Sequence, residues 1–142
     1  GLPPLVLLAE DSGFFRAQVQ ELVESKGYRC EPCEDGQIAW EKLDSGEYDI
    51  SLVLTDIEMP NMNGFDLCRR IKQTPHLMDL PVIALTSLAG SSDIEQGIEV
   101  GVDDYQIKMD REKLVASLKN FCDPNAGSSR NKSQPELAGS YA

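Results

Sequence analysis

This sequence lacks long apolar runs, and its basic residues are few beside its acidic ones. No apolar stretch approaches the length that a bilayer crossing needs, and the N-terminus shows no basic and apolar leader. Lys and Arg number 13 against 24 Asp and Glu, which gives a formal net charge of -11. A surface this acidic repels phosphate backbones and anionic lipid heads. We therefore expect a cytoplasmic protein that binds neither nucleic acid nor membrane directly and that favours cations and basic patches.

The sequence is also poor in the residues that zinc and thiol chemistry require. His76 is the one histidine, and among the four cysteines only Cys30 and Cys33 form a C-x-x-C pair. A zinc site would need a second ligand pair, and a thioredoxin-like site would place the pair at the start of a helix. Neither context is present, so we interpret all four cysteines as free and mostly structural thiols.

The chain of 142 residues has the length of one domain with one continuous core. We assign this domain to residues 1–122. The remaining segment, 123–142, is rich in Gly, Ser, Asn and Pro and has few apolar residues. Such a composition cannot bury a core of its own, so we predict a flexible polar tail or linker there.

Short apolar runs alternate with segments of helical spacing along residues 1–122. The runs predict five strands, at 5–9, 28–33, 50–55, 81–86 and 103–107. A helical pattern follows each run, and the fourth of these helices, from about 92 to 100, has the weakest pattern. The alternation predicts an α/β fold, a doubly wound parallel sheet of five βα units with the flavodoxin-like strand order 2-1-3-4-5.

Acidic residues follow two of the predicted strands. Glu10 and Asp11 come directly after strand one, and Asp56 follows strand three. Ligands of an open parallel sheet bind beyond the carboxyl ends of its strands, and strands one and three are neighbours in the predicted order. Carboxylates brought this close disfavour one another unless a cation lies among them. Oxygen ligands without His or Cys favour Mg²⁺ over Zn²⁺ as that cation.

We predict a specific ligand set for this Mg²⁺. Asp11 and Asp56 would bind the ion directly, the backbone carbonyl of Glu58 would be the third protein ligand, and Glu10 would act through a water molecule. The remaining positions would stay open for water and phosphate oxygens. The alternative interpretation is that acids gather at loop ends because loops are exposed, which is common in an acidic chain.

The same edge of the sheet also carries a hydroxyl and a cation. Phosphoryl transfer needs a nucleophile, a metal and fixed cationic or hydroxyl groups around the equatorial oxygens. Asp56 is the candidate nucleophile, because an aspartyl phosphate is an accepted covalent intermediate. Thr86 at the end of strand four would supply the hydroxyl, and Lys108 after strand five would supply the cation.

Four segments together resemble the bacterial response-regulator receiver family over about residues 4–122. They are VLLAEDS at 6–12, LVLTDIEMPNMNGF at 52–65, LPVIALTS at 80–87 and GVDDYQIK at 101–108. The resemblance implies that Asp56 is the phosphorylated aspartate. It implies the other roles as follows: Glu10 and Asp11 are the acid pair, Thr86 is the switch hydroxyl, Lys108 contacts the phosphate, and Tyr105 is an aromatic switch that moves inward when Thr86 is drawn to the phosphate.

The resemblance also implies partners. The phosphoryl donor would be a histidine kinase or a histidine phosphotransfer domain, and a downstream signalling protein would recognise the phosphorylated state. Within the family, the sequence is most similar to receivers that are fused to chemotaxis-type histidine kinases. The alternative is that the domain is a free-standing regulator. The domain would phosphorylate itself at Asp56 with Mg²⁺ rather than turn over as an enzyme, although the parent chain could be a kinase.

Three residues depart from the family pattern. Glu10 stands where many members have Asp, a common substitution that alters the reach of the side chain but not its charge. Met109 follows Lys108 where the family usually has proline, so we expect a trans peptide bond there and a last helix that begins near Asp110. Leu88 offers no polar group to a water molecule that attacks the phosphate, so the sequence does not support fast self-dephosphorylation.

Three other functions share parts of this pattern. A flavodoxin-type carrier needs a hydroxyl and glycine loop after strand one, where this chain has acids that would repel the flavin phosphate. A haloacid-dehalogenase-type phosphatase resembles a D-x-D pattern, whereas this chain has Asp56-Ile57-Glu58. The third is a pseudo-receiver, a binding module that keeps the fold without being phosphorylated. All five positions that phosphorylation chemistry requires carry suitable residues, which favours phosphorylation instead.

Overall fold

The computed structural model describes residues 1–87, 91–108 and 110–122, without the side chains of 91–93. Strands and helices alternate in the order β1 (Leu5–Ala9), α1 (Gly13–Ser25), β2 (Arg29–Cys33), α2 (Gly36–Ser45), β3 (Ile50–Asp56), α3 (Gly64–Lys72), β4 (Val82–Thr86), α4 (Ser91–Val100), β5 (Asp104–Ile107) and α5 (Arg111–Cys122). The strand boundaries differ from the predicted ones by no more than one residue. The predicted tail, Leu88 and the Lys108–Met109 peptide bond lie outside the described residues.

The five strands form one sheet in the order β2-β1-β3-β4-β5, and every neighbouring pair is parallel. The predicted flavodoxin-like order is therefore confirmed. Each parallel pair needs a crossover connection, and the helices that provide these connections cover both faces of the sheet. The interior strand β1 is buried at all five positions, as its unbroken apolar sequence requires.

Two hydrophobic clusters lie on opposite faces of the sheet. Leu7 and Ala9 of β1 belong to the cluster under α2, α3 and α4, whereas Val6 and Leu8 belong to the cluster under α1 and α5. This division follows from the strand geometry, because successive side chains point to opposite faces. None of the helices in the described part of the chain is both long and apolar enough to cross a membrane.

Polar residues cap the helices that begin at the carboxyl edge of the sheet. Ser12, Asp35 and Asn63 each accept a hydrogen bond from the backbone N–H three residues further along the chain. Asp110 accepts one from the Lys113 N–H at 3.1 Å, which agrees with the predicted start of the last helix near Asp110. Each cap satisfies one of the N–H groups that the first turn of a helix leaves without a partner.

The C-x-x-C pair lies on β2 and its sulfurs do not form a disulfide, since all four cysteines are free thiols. Cys33 belongs to one hydrophobic cluster and Cys30 packs against the other, because residues three apart on a strand point to opposite faces. Burial raises the pKa of Cys33 to about 11. The reactive thiolate of Cys33 is therefore scarce at neutral pH, which agrees with the interpretation of this cysteine as a structural thiol.

Candidate functional site

The carboxyl ends of four strands bring the predicted residues to one edge of the sheet. Strand register places Ala9 beside Thr55, so the acids that follow β1 lie next to the end of β3 at Asp56. Thr86 is the last residue of β4, and Lys108 directly follows β5. The edge predicted from sequence is therefore the edge at which these side chains are found.

The three carboxylates gather as predicted. One oxygen each from Glu10, Asp11 and Asp56 lies within 4.8 Å of the other two. Asp11 is exposed, whereas Asp56 is 7% exposed and Glu10 is 0% exposed. An all-oxygen set that is open to solvent on the Asp11 side fits a hard divalent cation that keeps water ligands. Glu58 is exposed on the loop after β3, and the role of its carbonyl stays a prediction.

Lys108 joins the two buried carboxylates. Its ammonium lies 2.7 Å from Glu10 Oε1 and 3.3 Å from Asp56 Oδ1, and the lysine side chain is only 8% exposed. Burial alone would lower the pKa of Lys108, but the two carboxylates outweigh burial and raise it. The second oxygen of Glu10 accepts a hydrogen bond from the Ser12 N–H at 3.0 Å. Both oxygens of Glu10 thus have protein partners, which suits its predicted role through water.

Asp56 is the carboxylate whose ionisation is most strongly affected. Burial and the nearby charge of Glu10 raise the pKa of Asp56 to about 7, against the opposite influence of Lys108. Its Oδ1 accepts a hydrogen bond from the Ile57 N–H at 2.8 Å, which fixes the carboxylate relative to the backbone. A divalent cation among the acids would reverse the direction of this pKa shift.

Thr86 ends β4, and Tyr105 lies on β5, three residues before Lys108. Thr86 is 8% exposed, and its carbonyl accepts a hydrogen bond from the Lys108 N–H at 2.7 Å, which ties the end of β4 to the loop after β5. The side chain of Tyr105 is 1% exposed. A Cβ on Gly97 of α4 would lie 3.5 Å from the tyrosine ring. The ring therefore occupies an inward position in this structure.

A close backbone contact behind Asp56 was missed in the sequence. A Cβ on Gly64 would lie 2.0 Å from the Asp56 carbonyl oxygen, so only glycine allows α3 to begin so near the end of β3. The Gly64 N–H donates to the Ile57 carbonyl at 2.8 Å. The sequence does contain a signal for this contact, because a glycine directly follows the N-cap Asn63. Glycine has no conformational advantage at that position, so its presence there indicates a close approach of another backbone segment.

A second missed contact holds the loop between β3 and α3 from the side of α2. The Asn61 side-chain amide donates to Asp35 Oδ2 at 2.8 Å, and Asn61 itself has a positive φ of 70°. A Cβ on Gly36 would lie 2.1 Å from the Met62 carbonyl oxygen. The same sequence signal, a glycine directly after an N-cap, occurs here as Asp35-Gly36.

Arg16 on α1 holds the loop that carries the acid pair. Its guanidinium donates to the Glu10 carbonyl at 2.9 Å, and the Asp11 carbonyl lies at the longer distance of 3.5 Å. No pattern in the sequence singles out Arg16, because a basic residue in the first turn of a helix is usually solvated.

An open five-stranded parallel sheet with an acid cluster and a lysine at its carboxyl edge defines a class of α/β proteins that bind ligands at a strand-order switch point. The family model for the response regulator receiver domain matches residues 6–119 of the chain. The chain belongs to this family, and the resemblance identified in the sequence is confirmed.

Curated relatives agree with this assignment. The two-component response regulator ORR3 from Oryza sativa subsp. indica is 34% identical over 117 residues, which cover 82% of this chain and 88% of that protein. The gliding motility regulatory protein from Myxococcus xanthus is 43% identical over 103 residues, which cover 72% of this chain. That stretch is 13% of the Myxococcus protein, so this chain corresponds to a small part of it.

Solved structures show the same fold. The receiver domain of a signal transduction histidine kinase from Syntrophus aciditrophicus aligns with a TM-score of 0.77 and 29% identity, covering 92% of this chain and 95% of that one. The receiver domain of a sensor histidine kinase from Pseudomonas aeruginosa PAO1 aligns with a TM-score of 0.77 and 26% identity, covering 84% and 98%. A magnesium ion is coordinated in the active-site cleft of the Pseudomonas protein.

Proposed function

We propose that Asp56 accepts a phosphoryl group from the phosphohistidine of a histidine kinase or a histidine phosphotransfer domain. The observation that carries this proposal is the position of the Asp56 carboxylate, 3.3 Å from the Lys108 ammonium and within 4.8 Å of the acid pair Glu10 and Asp11. A carboxylate oxygen of Asp56 attacks the phosphorus, and the bond between phosphorus and the imidazole nitrogen breaks. The product is an aspartyl phosphate.

The acid cluster would hold one Mg²⁺ for this reaction. Asp11 and Asp56 are the direct ligands in this proposal, with the Glu58 carbonyl as the third and Glu10 acting through water. When bound, the ion neutralises the charge that develops on the phosphoryl oxygens. Lys108 remains protonated because its two carboxylate partners raise its pKa, so it contributes a fixed cation to the same oxygens.

Phosphorylation would change the signalling surface through Thr86 and Tyr105. The Thr86 hydroxyl would donate a hydrogen bond to the phosphoryl group, and this contact favours conformations in which Thr86 lies close to Asp56. The Tyr105 ring is already inside the protein, so phosphorylation would shift a population towards a position that the unmodified chain also adopts. A downstream signalling protein would recognise the resulting surface.

Similarity to known receiver domains supports two candidate contexts for the domain. We propose that the chain is the cytoplasmic receiver module of a chemotaxis-type hybrid histidine kinase, supported by its similarity to receiver domains of histidine kinases. A free-standing regulator is the second candidate. It is supported by the response regulator ORR3, because the stretch that matches this chain covers 88% of that protein and leaves little room for another domain. The net charge of -11 favours basic protein partners over nucleic acid or anionic membranes in either case.

The phosphoacceptor is tested by intact mass. Acetyl phosphate with Mg²⁺ should add one phosphoryl group to the wild-type chain and none to Asp56→Asn, while circular dichroism shows that the variant is folded. Asp44→Asn is the matched control, because Asp44 is an exposed acid near the other end of α2, and it should be modified like wild type. A wild-type chain that gains no mass would favour the pseudo-receiver, and a mass gain in Asp56→Asn would refute this phosphosite.

A further inference from the structure

We infer that Phe15 is a positioning residue, which holds the Lys108 ammonium beside Asp56 through the face of its ring. The Lys108 Nζ lies 5.0 Å from the centroid of the Phe15 ring. That distance is within the range of a cation–π contact, which is strongest where the cation is shielded from water. The role of Phe15 in phosphorylation rests on the proposed function, whereas its contact with Lys108 is a feature of the unmodified chain.

The fold places Phe15 through the same residues that build the site. The Phe15 N–H donates to the side chain of the N-cap Ser12 at 3.4 Å, and the Ser12 N–H donates to Glu10 Oε2 at 3.0 Å. The other oxygen of Glu10 contacts Lys108 at 2.7 Å. Glu10, Ser12, Phe15 and Lys108 therefore form a closed set of contacts, in which each residue limits the movement of the next.

A lysine at this position needs such a contact because its side chain is long and flexible. A groove of about 110 Å³ opens between α1 and α5 beside the lysine, and Phe15 and Leu114 are among the residues that line it. Arg111 also lines the groove, and none of the described residues around it is acidic. The groove thus offers Lys108 space but no carboxylate, and Gln18 is its other polar lining residue. On that side the ammonium contacts the Phe15 ring.

An aromatic ring suits this role better than an additional carboxylate would. The ring attracts the ammonium without adding negative charge to a site that already holds Glu10 and Asp56. It also leaves the N–H groups of the ammonium available to carboxylate or phosphoryl oxygens, because the ring is a weak acceptor. Phe15 can therefore hold the cation in place without competing with the phosphoryl group for it.

The first test measures the rate of phosphorylation by acetyl phosphate at saturating Mg²⁺. Phe15→Leu keeps an apolar side chain and removes the ring, and we expect the rate to fall about three- to tenfold. Phe15→Tyr retains the ring face and should restore most of the rate. Replacement of Phe15 by phenylalanines with increasing fluorination keeps the ring shape and weakens the attraction of its face, so the rate should fall stepwise along that series.

The matched control is Phe14→Leu, the same substitution one position earlier in the same turn of α1. Phe14 is 70% exposed, and its ring packs edge-on against Phe15 with 5.7 Å between the centroids. We expect the rate of this variant to stay within a factor of two of wild type. Melting temperatures of all variants distinguish a slow reaction from a loss of folded protein.

A double-mutant cycle tests whether Phe15 acts through Lys108. In a Lys108→Met background, Phe15→Leu should cause no further loss of rate, because the ring has no ammonium to hold. An equal loss in both backgrounds would overturn the inference. A fluorinated series with one constant rate would also overturn it.

Proton NMR of the unmodified protein supplies a measurement that does not depend on phosphorylation. The ring current of Phe15 should shift the ε-methylene resonances of Lys108 upfield, and Phe15→Leu should return them towards ordinary values. If wild type shows this shift but gains no phosphoryl group, the proposed function fails and the contact stands. If the resonances are unshifted in wild type, the positioning role fails whatever the rate of phosphorylation.

Discussion

Asp56 shows how the fold gives one carboxyl group a property that its residue type does not have. Its neighbour in space, Glu10, is fully buried, and the two acids share the single Lys108 ammonium. One positive charge for two buried carboxylates leaves a net negative charge in a poorly solvated place, and this raises the pKa of Asp56. The sequence predicted the three residues and their proximity. It could not predict how the ammonium divides its contacts, because that depends on side-chain conformations.

The raised pKa of Asp56 makes the stability of the metal-free protein depend on pH. The pKa is about 7 in the folded chain and about 4 in an unfolded chain, so the folded state binds more protons between these values. Protonation of Asp56 therefore contributes to the free energy of unfolding. This contribution is fully present below about pH 4 and is lost as the pH rises through about 7. Asp56→Asn removes this dependence, and at pH 8 in the presence of a chelator it should be more stable than wild type by about 1–2 kcal/mol.

Urea unfolding at pH 5 and pH 8 measures this effect. The difference in free energy of unfolding between Asp56→Asn and wild type should be larger at pH 8 than at pH 5. Asp44→Asn removes an exposed acid near the far end of α2, and its difference from wild type should be similar at both pH values. A difference for Asp56→Asn that does not change with pH would contradict the raised pKa.

At the scale of helices and strands, the order and boundaries of the elements were predictable because local signals agree with the fold. Apolar runs mark buried strands, and the caps Ser12, Asp35 and Asn63 mark helix starts. Contacts between elements were not predictable in the same way. The close approach of Gly64 to Asp56 and the inward position of Tyr105 depend on how helices pack against the sheet, which no local pattern encodes.

Gly97 in α4 and Gly101 directly after it test this packing, because the same substitution should have opposite effects. Gly97 lies inside the helix, and an added Cβ would lie 3.4 Å from the Phe65 ring and 3.5 Å from the Tyr105 ring, which are ordinary contacts. Alanine also has a higher helix propensity than glycine. Gly97→Ala should therefore raise the free energy of unfolding by about 0.5–1 kcal/mol.

Gly101 at the end of α4 is the matched comparison. Its φ is 95°, and an added Cβ would lie 3.2 Å from Lys72 Cγ. Alanine is strained in this left-handed conformation, so Gly101→Ala should lower the free energy of unfolding by about 1–2 kcal/mol. Chemical denaturation of the two variants measures both changes. A loss of stability in Gly97→Ala would mean that the rings of Phe65 and Tyr105 leave no room for a methyl group.

For the molecule as a whole, the acid cluster connects the stability of the sheet to a ligand. Glu10 and Asp11 follow β1, and Asp56 ends β3, so the repulsion among them acts between two neighbouring interior strands. The chain carries a net charge of -11, and this excess adds to the local repulsion. A cation bound only by the folded state should therefore stabilise the entire domain, by an amount that grows with the logarithm of the ratio of its concentration to the dissociation constant.

We expect Mg²⁺ to raise the melting temperature of wild type through this site. At a concentration about ten times the dissociation constant, linkage gives about 1.4 kcal/mol, which corresponds to roughly 4 °C for a domain of this size. Asp11→Asn removes an exposed ligand, so the fold tolerates it while the benefit of Mg²⁺ should shrink to less than half. Asp44→Asn makes the same change of charge near the far end of α2 and should keep the full benefit. Calorimetric melts of the three proteins with Mg²⁺ and with a chelator measure this increase in melting temperature. An equal increase in all three proteins would place the bound Mg²⁺ outside this cluster.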